Sequence, residues 1–233
     1  MLLERREEAV AWLTLDRPER LNAFTVAGYR ELRAGLERAA SDPTVHVTVL
    51  AGTGRAFSAG ADRSLVDGSA PDAEEAGPEF ERFLETLAAF PKPLLAAVHG
   101  FAIGIGCTLL LYCDLVVVAE SARLRLPFTE LGIVPEAGSS ALLPQRGRWP
   151  DVMWAMLSSE WIEPAEALRL GLAWRVVRDD DLITEVGSAA ATLAALDPAA
   201  VAATKELLVT GRHAIARSAI ARELDAMQAL RQP

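Results

Sequence analysis

The sequence predicts an α/β domain in which short apolar strands alternate with helices and a helical region follows. Two continuously apolar runs, residues 93–100 and 114–120, have the pattern of strands that are covered on both faces. An amphipathic stretch at residues 25–43 precedes them, and the patterns after residue 148 are all helical. Because strands separated by helices are typical of βαβ units, these observations predict an α/β class.

The elements of the N-terminal half follow from local pattern. The first apolar strand should end at Pro18, and Thr25 is the expected N-cap of the helix that follows. Residues 45–52 alternate apolar and polar side chains as a half-buried strand does. Residues 101–113 open with glycines and are expected to close as a buried helix. Residues 67–79, rich in glycine, proline and acids, are expected to form a mobile loop.

The C-terminal region is predicted from helical periodicity and its stop signals. Pro164 stands early in one helical pattern and Gly171 directly follows it, which is the usual asymmetry of helix ends. The sequence shows no internal repeat, no low-complexity linker and no second core. The predicted helices occupy residues 151–159, 163–171, 182–196 and 198–211.

Composition and charge argue against several function classes. The chain is 51% hydrophobic with a formal net charge of −9, and no basic segment carries interleaved aromatic residues, so nucleic-acid binding is not expected. The apolar runs are too short to cross a bilayer, and we expect a cytoplasmic protein without a membrane partner. Cys107 and Cys113 are expected to be reduced core thiols, and the dispersed His46 and His213 do not indicate a metal site.

Two glycine-bearing turns are candidates for binding negative charge. In residues 52–62, GTGRAFSAGAD, small side chains let backbone N–H groups crowd toward one point. Residues 99–113 lead into a helix, whose first N–H groups are unpaired and lie at the positive end of its dipole. Two such donors could stabilise an oxyanion, although each turn taken alone is more often just a tight strand-to-helix connection. Gly104 and Gly106 lack the third glycine of a dinucleotide fingerprint.

Six segments, in chain order, resemble the signatures of the enoyl-CoA hydratase/isomerase (crotonase) superfamily. The resemblance covers nearly the whole chain and implies a crotonase-like spiral of ββα units over residues 1–190, with a C-terminal helical trimerisation region over residues 191–233. It also implies an acyl-CoA substrate, CoA bound in a bent shape, no separate cofactor, and a homotrimer or hexamer. The segments are RPERLNAF, GTGRAFSAGAD, HGFAIGIGCTLLLYCDLVVVAE, FTELGIVPEAGSSALLP, EPAEALRLGLAWRVV and DPAAVAATKELL.

The resemblance also implies site residues. In the family, the thioester carbonyl lies between two backbone N–H groups, which by position are those of Ala61 and Ile105. Asp62 is open to two interpretations, since it could orient the pantetheine or hold its own turn. Lys205 is similar to a family lysine near the CoA adenine or phosphates, and an exposed helix lysine is the alternative. The expected CoA-binding positions are Ala23, Ala59, Asp62 and Lys205.

The sequence departs from the family's hydratases at the residues that handle water. Those enzymes use two glutamates to hold and ionise the water molecule, and this chain has Thr108 and Phe128 at the matching positions. Ordinary hydration is therefore not expected. The family's 3-enoyl-CoA/2-enoyl-CoA isomerases carry their single catalytic acid at the position of Glu136, in PEAGSS. Apolar neighbours should raise the pKa of Glu136, and Glu130 is the nearest rival carboxylate.

These residues together predict an acyl-CoA isomerase. Glu136 would shuttle the proton, and the N–H groups of Ala61 and Ile105 would hold the enolate oxygen. Two alternatives remain open: another crotonase-family reaction, such as ring expansion, epoxide opening or weak hydration, and a non-catalytic scaffold that binds acyl-CoA.

Overall fold

A computed structural model describes residues 2–230 and shows a mixed α/β fold with two sheets. The strands are β1 (Leu2–Glu7), β2 (Val10–Leu15), β3 (Val47–Gly52), β4 (Ala56–Ser58), β5 (Leu94–Val98), β6 (Phe101–Ile103), β7 (Leu115–Ala119), β8 (Arg123–Arg125), β9 (Trp161–Ile162) and β10 (Arg175–Val177). The helices are α1 (Val26–Ser41), α2 (Arg63–Val66), α3 (Ala73–Ala89), α4 (Ile105–Thr108), α5 (Ser139–Leu142), α6 (Trp149–Ser158), α7 (Pro164–Arg169), α8 (Leu182–Ala194) and α9 (Pro198–Leu230). Short 3-10 turns include Pro18–Arg20, Leu109–Tyr112, Leu143–Gln145 and Asp179–Asp181.

The chain alternates between the two sheets. The larger sheet has the order β1-β2-β3-β5-β7-β10 and is parallel apart from β1, whereas the smaller has the order β4-β6-β8-β9 and is parallel apart from β9. Strands β3, β5 and β7 are each followed by a strand of the smaller sheet and then by helix. The result is a series of ββα units, so the expected fold class is confirmed.

The larger sheet separates two buried clusters. Successive residues of a strand point to opposite faces, so Ala11 and Leu13 join the large core under α1 and α3, while Val10 and Trp12 join a smaller cluster under α8. The expectation of one core was therefore incomplete. The larger cluster fills the space between the sheets and supports the candidate site.

Several local predictions are confirmed. Thr25 caps α1 by accepting a hydrogen bond from the Gly28 N–H at 3.1 Å. Pro164 opens α7, and Gly171 after it adopts a φ of 65°, a left-handed conformation that suits glycine. Cys107 and Cys113 are buried free thiols.

Two local predictions were wrong in part. Residues 67–79 are not all loop, because α3 begins at Ala73 with two acids in its first turn, where the helix dipole favours negative charge. Arg33 of α1 also pairs with the buried Glu79 of α3 at 2.7 Å. Within residues 101–113, strand β6 precedes the helical part, which is short and ends in a 3-10 turn.

The C-terminal helices differ in their surroundings. The predicted division between residues 190 and 191 falls inside α8, which packs on β3, β5 and β7, and the long helix α9 packs on α3 and α5. Residues 231–233 of the predicted helical region lie outside the described residues. Within residues 2–230, no single helix is long and apolar enough to cross a membrane. Residues 179–194 and α9 together have the length and composition of a membrane-spanning segment, but the two helices meet at a bend of 106°.

Candidate active site

The two glycine turns follow the C-terminal ends of two neighbouring strands of the smaller sheet. Strands β4 and β6 are parallel neighbours, with Ser58 paired to Ala102, so the turns that follow them meet. A side chain on Gly60, at a φ of 90°, would begin 2.6 Å from the Ile103 carbonyl oxygen. A side chain on Gly106 would begin 2.4 Å from the Ser58 carbonyl oxygen. Glycine is required at both positions because the backbones touch there.

The Ala61 and Ile105 amides lie on these turns. The Phe24 N–H donates to Gly60 O at 2.7 Å and the Asp62 N–H donates to Phe24 O at 2.8 Å, which fixes the first turn around Ala61. Ile105 is the first residue of α4, a position whose N–H has no acceptor inside a helix. Within residues 2–230, neither amide donates to a protein acceptor. Among the described residues, both amides are thus left without a protein acceptor, which the predicted oxyanion role requires.

Glu136 stands at the start of a left-handed turn. Ala137 and Gly138 have φ angles of 58° and 70°, and a non-glycine residue in this region costs about 1 to 2 kcal/mol. The turn is closed by Ser139, whose N–H and hydroxyl both donate to Glu136 O, at 3.0 and 2.6 Å. Such local strain is maintained only where the surroundings enforce it, as functional sites often do.

The Glu136 carboxyl has an apolar environment and one polar partner. Thr108 donates its hydroxyl to Oε1 at 2.6 Å, and Oε2 is buried without a hydrogen-bond partner among the described residues. Burial raises the pKa of Glu136 to about 8; the Thr108 hydrogen bond opposes the shift and the Glu223 charge adds to it. The expected raised pKa is therefore found.

Thr108 joins the carboxyl to the glycine turns. It lies on α4 three residues after Ile105, or roughly 5 Å along one helical turn. Its hydroxyl therefore brings Glu136 close to the helix that opens with the Ile105 amide. Phe128, at the second of the hydratase positions, is buried and adds no carboxylate.

Asp62 has a structural role in this chain. It caps α2 by accepting a hydrogen bond from the Ser64 N–H at 3.0 Å, and it pairs with Arg17 at 2.6 Å. The Ser64 backbone hydrogen bond, with help from Arg17, lowers the pKa of Asp62 to about 2. Of the two interpretations open from sequence, the structure favours turn stabilisation.

Lys205 is buried and does not present its ammonium at the surface, where a CoA phosphate could reach it. Its ammonium is buried, donating to Asp114 Oδ2 at 2.7 Å and to Lys92 O at 2.6 Å. These contacts keep the ammonium buried between α9 and the core. Neither the CoA-binding role nor the exposed alternative therefore fits Lys205. Asp114 also accepts a hydrogen bond from the Leu94 N–H, so the Lys205 side chain connects α9 to the start of β5.

The remaining candidates lie near the first turn or at the surface. The Ala59 N–H donates to Leu21 O at 2.9 Å, and Ala23 O accepts from Arg17 at 3.1 Å, so both alanines flank the Ala61 turn. Their contact with CoA stays a prediction. Glu130 is exposed and paired with Arg125, an environment unlike that of Glu136.

Two residues near Glu136 were missed by sequence reasoning. Tyr112 donates its hydroxyl to Ala137 O at 2.7 Å, and Glu223 of α9 accepts hydrogen bonds from the turn's backbone. Tyr112 is a residue with a polar tip in an otherwise mostly apolar run, which was a weak signal. Glu223 carried none, because it resembles any charged residue of a helix.

Comparison with known proteins identifies the family of this chain. A family model described as Enoyl-CoA hydratase/isomerase matches residues 5–232. A probable enoyl-CoA hydratase of Rhodobacter capsulatus is 39% identical, over 88% of this chain and 79% of the relative. A 1,2-epoxyphenylacetyl-CoA isomerase of Escherichia coli is 37% identical, over 78% of this chain and 71% of the relative. The crystal structure of an enoyl-CoA hydratase/isomerase from Pseudoalteromonas atlantica superposes with a TM-score of 0.92 at 35% identity, covering 98% of this chain and 90% of that one.

Proposed function

We propose that this chain, which belongs to the enoyl-CoA hydratase/isomerase family, is an enoyl-CoA isomerase that moves a double bond along the acyl chain. The observation that supports the proposal is the buried carboxyl of Glu136, which is hydrogen-bonded to Thr108 on the helix that follows the second glycine turn. Thr108 and Phe128 occupy the positions where the resemblance places the hydratase glutamates. The substrate brings its own CoA, and the proposed reaction uses no other cofactor.

The proposed mechanism assigns each group to a developing charge. Glu136 removes a proton from the carbon next to the thioester, and the electron pair of that C–H bond becomes part of a dienolate. The N–H groups of Ala61 and Ile105 stabilise the negative oxygen. Glu136 then returns the proton two carbons further along, which leaves the double bond conjugated with the thioester. Loss of one oxyanion donor costs roughly 3 kcal/mol in comparable sites, so the pair is expected to contribute strongly.

A raised pKa suits this shuttle. With a pKa of about 8, Glu136 is a stronger base when ionised than an ordinary carboxylate and a ready acid when protonated. Roughly a tenth of the molecules would carry the ionised form at neutral pH. We therefore expect isomerase activity to rise with pH toward the pKa of Glu136.

An aromatic acyl group is a second candidate for the substrate. The similarity to a 1,2-epoxyphenylacetyl-CoA isomerase supports this candidate.

The proposal includes a homotrimer or hexamer. Leu207 and Leu208 on α9 are 82% and 78% exposed, and paired exposed leucines on a long helix favour burial against another copy. Light scattering after size exclusion would measure the mass of the assembly. A monomer at micromolar concentration would contradict this part of the proposal.

A substrate panel tests the reaction. The protein would be incubated with a 3-enoyl-CoA, crotonyl-CoA and an aryl epoxide acyl-CoA, and the products separated by chromatography. We expect isomerisation of the first or third compound and very slow conversion of crotonyl-CoA to its 3-hydroxy product. Hydration as fast as that of a dedicated hydratase would refute the proposal, and binding without turnover would identify a scaffold.

A further inference from the structure

We infer that Glu223 of α9 is a positioning residue for Glu136, because its carboxylate holds the turn that carries Glu136 and places a negative charge behind it. The inference rests on the proposed function, which assigns the proton transfer to Glu136. Glu223 does not itself contact the reacting atoms in this scheme.

Both oxygens of the Glu223 carboxylate are bound to one turn. Oε2 accepts from the Gly138 N–H at 2.7 Å, and Oε1 accepts from the Ser140 N–H at 2.9 Å. Glu223 is only 7% exposed, so these charge-assisted bonds form away from solvent. A side chain 87 residues away in the sequence thus fixes the backbone that directly follows Glu136.

The turn is held from a second side and fits closely against α9. Tyr112 donates its hydroxyl to Ala137 O at 2.7 Å. A side chain on Gly138 would begin 3.2 Å from Ala216 O on α9, so little room is left for movement. Proton transfer requires close and aligned atoms, and a displacement of about 1 Å can reduce the rate roughly a hundredfold. The contacts of Glu223 and Tyr112 therefore determine where the Glu136 carboxyl points.

Glu223 is also the charged residue among the groups that act on Glu136. Tyr29 comes from α1, Cys107 and Thr108 from α4, and Tyr112 from the following 3-10 turn. Burial raises the pKa of Tyr29, Cys107 and Tyr112, so these groups are neutral near physiological pH. The negative charge of Glu223 raises the pKa of Glu136, whereas the Thr108 hydroxyl lowers it. The helix α9 thus acts on both the geometry and the proton affinity of the site.

Two substitutions separate these effects. Glu223→Gln removes the charge and one of the two accepted hydrogen bonds. Glu223→Asp keeps the charge, but its side chain is one methylene shorter and moves the carboxylate away from the turn. For each, kcat and KM on a 3-enoyl-CoA would be measured across pH. The titration of Glu136 would be followed separately by carbon-13 NMR without substrate, with Glu136→Gln used to assign its signal. Glu206→Gln, the same change at an exposed site of α9, is the matched control.

The inference predicts different results for the two variants. Both should lower kcat by roughly ten- to a hundredfold with little change in KM. In Glu223→Gln, the Glu136 titration should move to lower pH because a nearby negative charge is gone. In Glu223→Asp it should stay near its wild-type position, and Glu206→Gln should match the wild type in every measurement.

The contrary results are equally distinct. A Glu136 titration that is unmoved in Glu223→Gln, or a kcat that is unchanged in both variants, would overturn the inference. If the wild type turns over no enoyl-CoA yet the titration still moves in Glu223→Gln alone, the action of the Glu223 charge on Glu136 stands and the proposed reaction fails. Should Glu223→Gln not fold, Tyr112→Phe removes the other hydrogen bond to the turn and must lower kcat for the inference to survive.

Discussion

Replacing Glu136 by glutamine should stabilise the fold increasingly as pH rises, while removing most isomerase activity. The Glu136 carboxyl is buried, and its pKa is raised from 4.5 to about 8. This difference corresponds to roughly 5 kcal/mol at about 1.4 kcal/mol per unit of pKa. Activity should fall by roughly two to four orders of magnitude, because the amide cannot accept the proton.

The sign of the stability effect follows from proton binding. Below pH 4.5 the carboxyl is protonated in both the folded and the unfolded chain. The pKa difference between the two states therefore does not lower the free energy of unfolding there. Between pH 4.5 and about 8 the unfolded chain releases the proton and the folded protein keeps it, so stability falls as pH rises. Above pH 8 the loss is complete. Glutamine does not titrate, and the variant avoids this loss.

The measurement is urea-induced unfolding at several pH values that span this window. The free energy of unfolding of Glu136→Gln minus that of the wild type should grow by roughly 3 to 5 kcal/mol across it. Any cost of burying the amide is the same at every pH and does not affect the slope. Glu130→Gln, which removes an exposed carboxylate, should follow the wild-type curve. Parallel curves for Glu136→Gln and the wild type would refute the raised pKa on which the proposed proton shuttle depends.

Three further predictions concern neighbouring contacts. Thr108→Val removes the hydrogen bond that lowers the pKa of Glu136, so the acid limb of the kcat/KM profile should move to higher pH; an unmoved limb would contradict this contact. Lys205→Met leaves Asp114 without its buried partner and should cost roughly 3 kcal/mol of stability in urea unfolding, with the KM for acyl-CoA unchanged. Gly60→Ala should cost about 1 to 3 kcal/mol and most activity, because the new methyl group meets the neighbouring turn at a positive φ; full activity would show that the turns are not in contact.

Features set by short stretches of chain could be predicted from sequence. The cap of α1 and the buried strands β5 and β7 depend on neighbours within a few residues, and the glycine turns are recognisable from their own glycines although the contact between them is not local. The start of α3 was missed because the prolines and glycines of residues 67–79 outweighed the acids that favour a helix N-terminus. Lys205 was misplaced for a different reason. Whether a helical lysine faces solvent or an internal carboxylate depends on what packs against that face, and Asp114 is 91 residues away.

The proton affinity of Glu136 combines local and distant causes. The apolar residues around PEAGSS predicted a raised pKa, and burial is the largest cause in the structure. The two modifiers are not local, since Thr108 lies 28 residues before Glu136 and Glu223 lies 87 residues after it. They act in opposite directions, and each also fixes geometry, Thr108 at the carboxyl and Glu223 at the turn behind it. A buried acid alone would have a high pKa and no fixed direction. In the proposed mechanism, the pair of distant contacts is what aims this acid at the substrate.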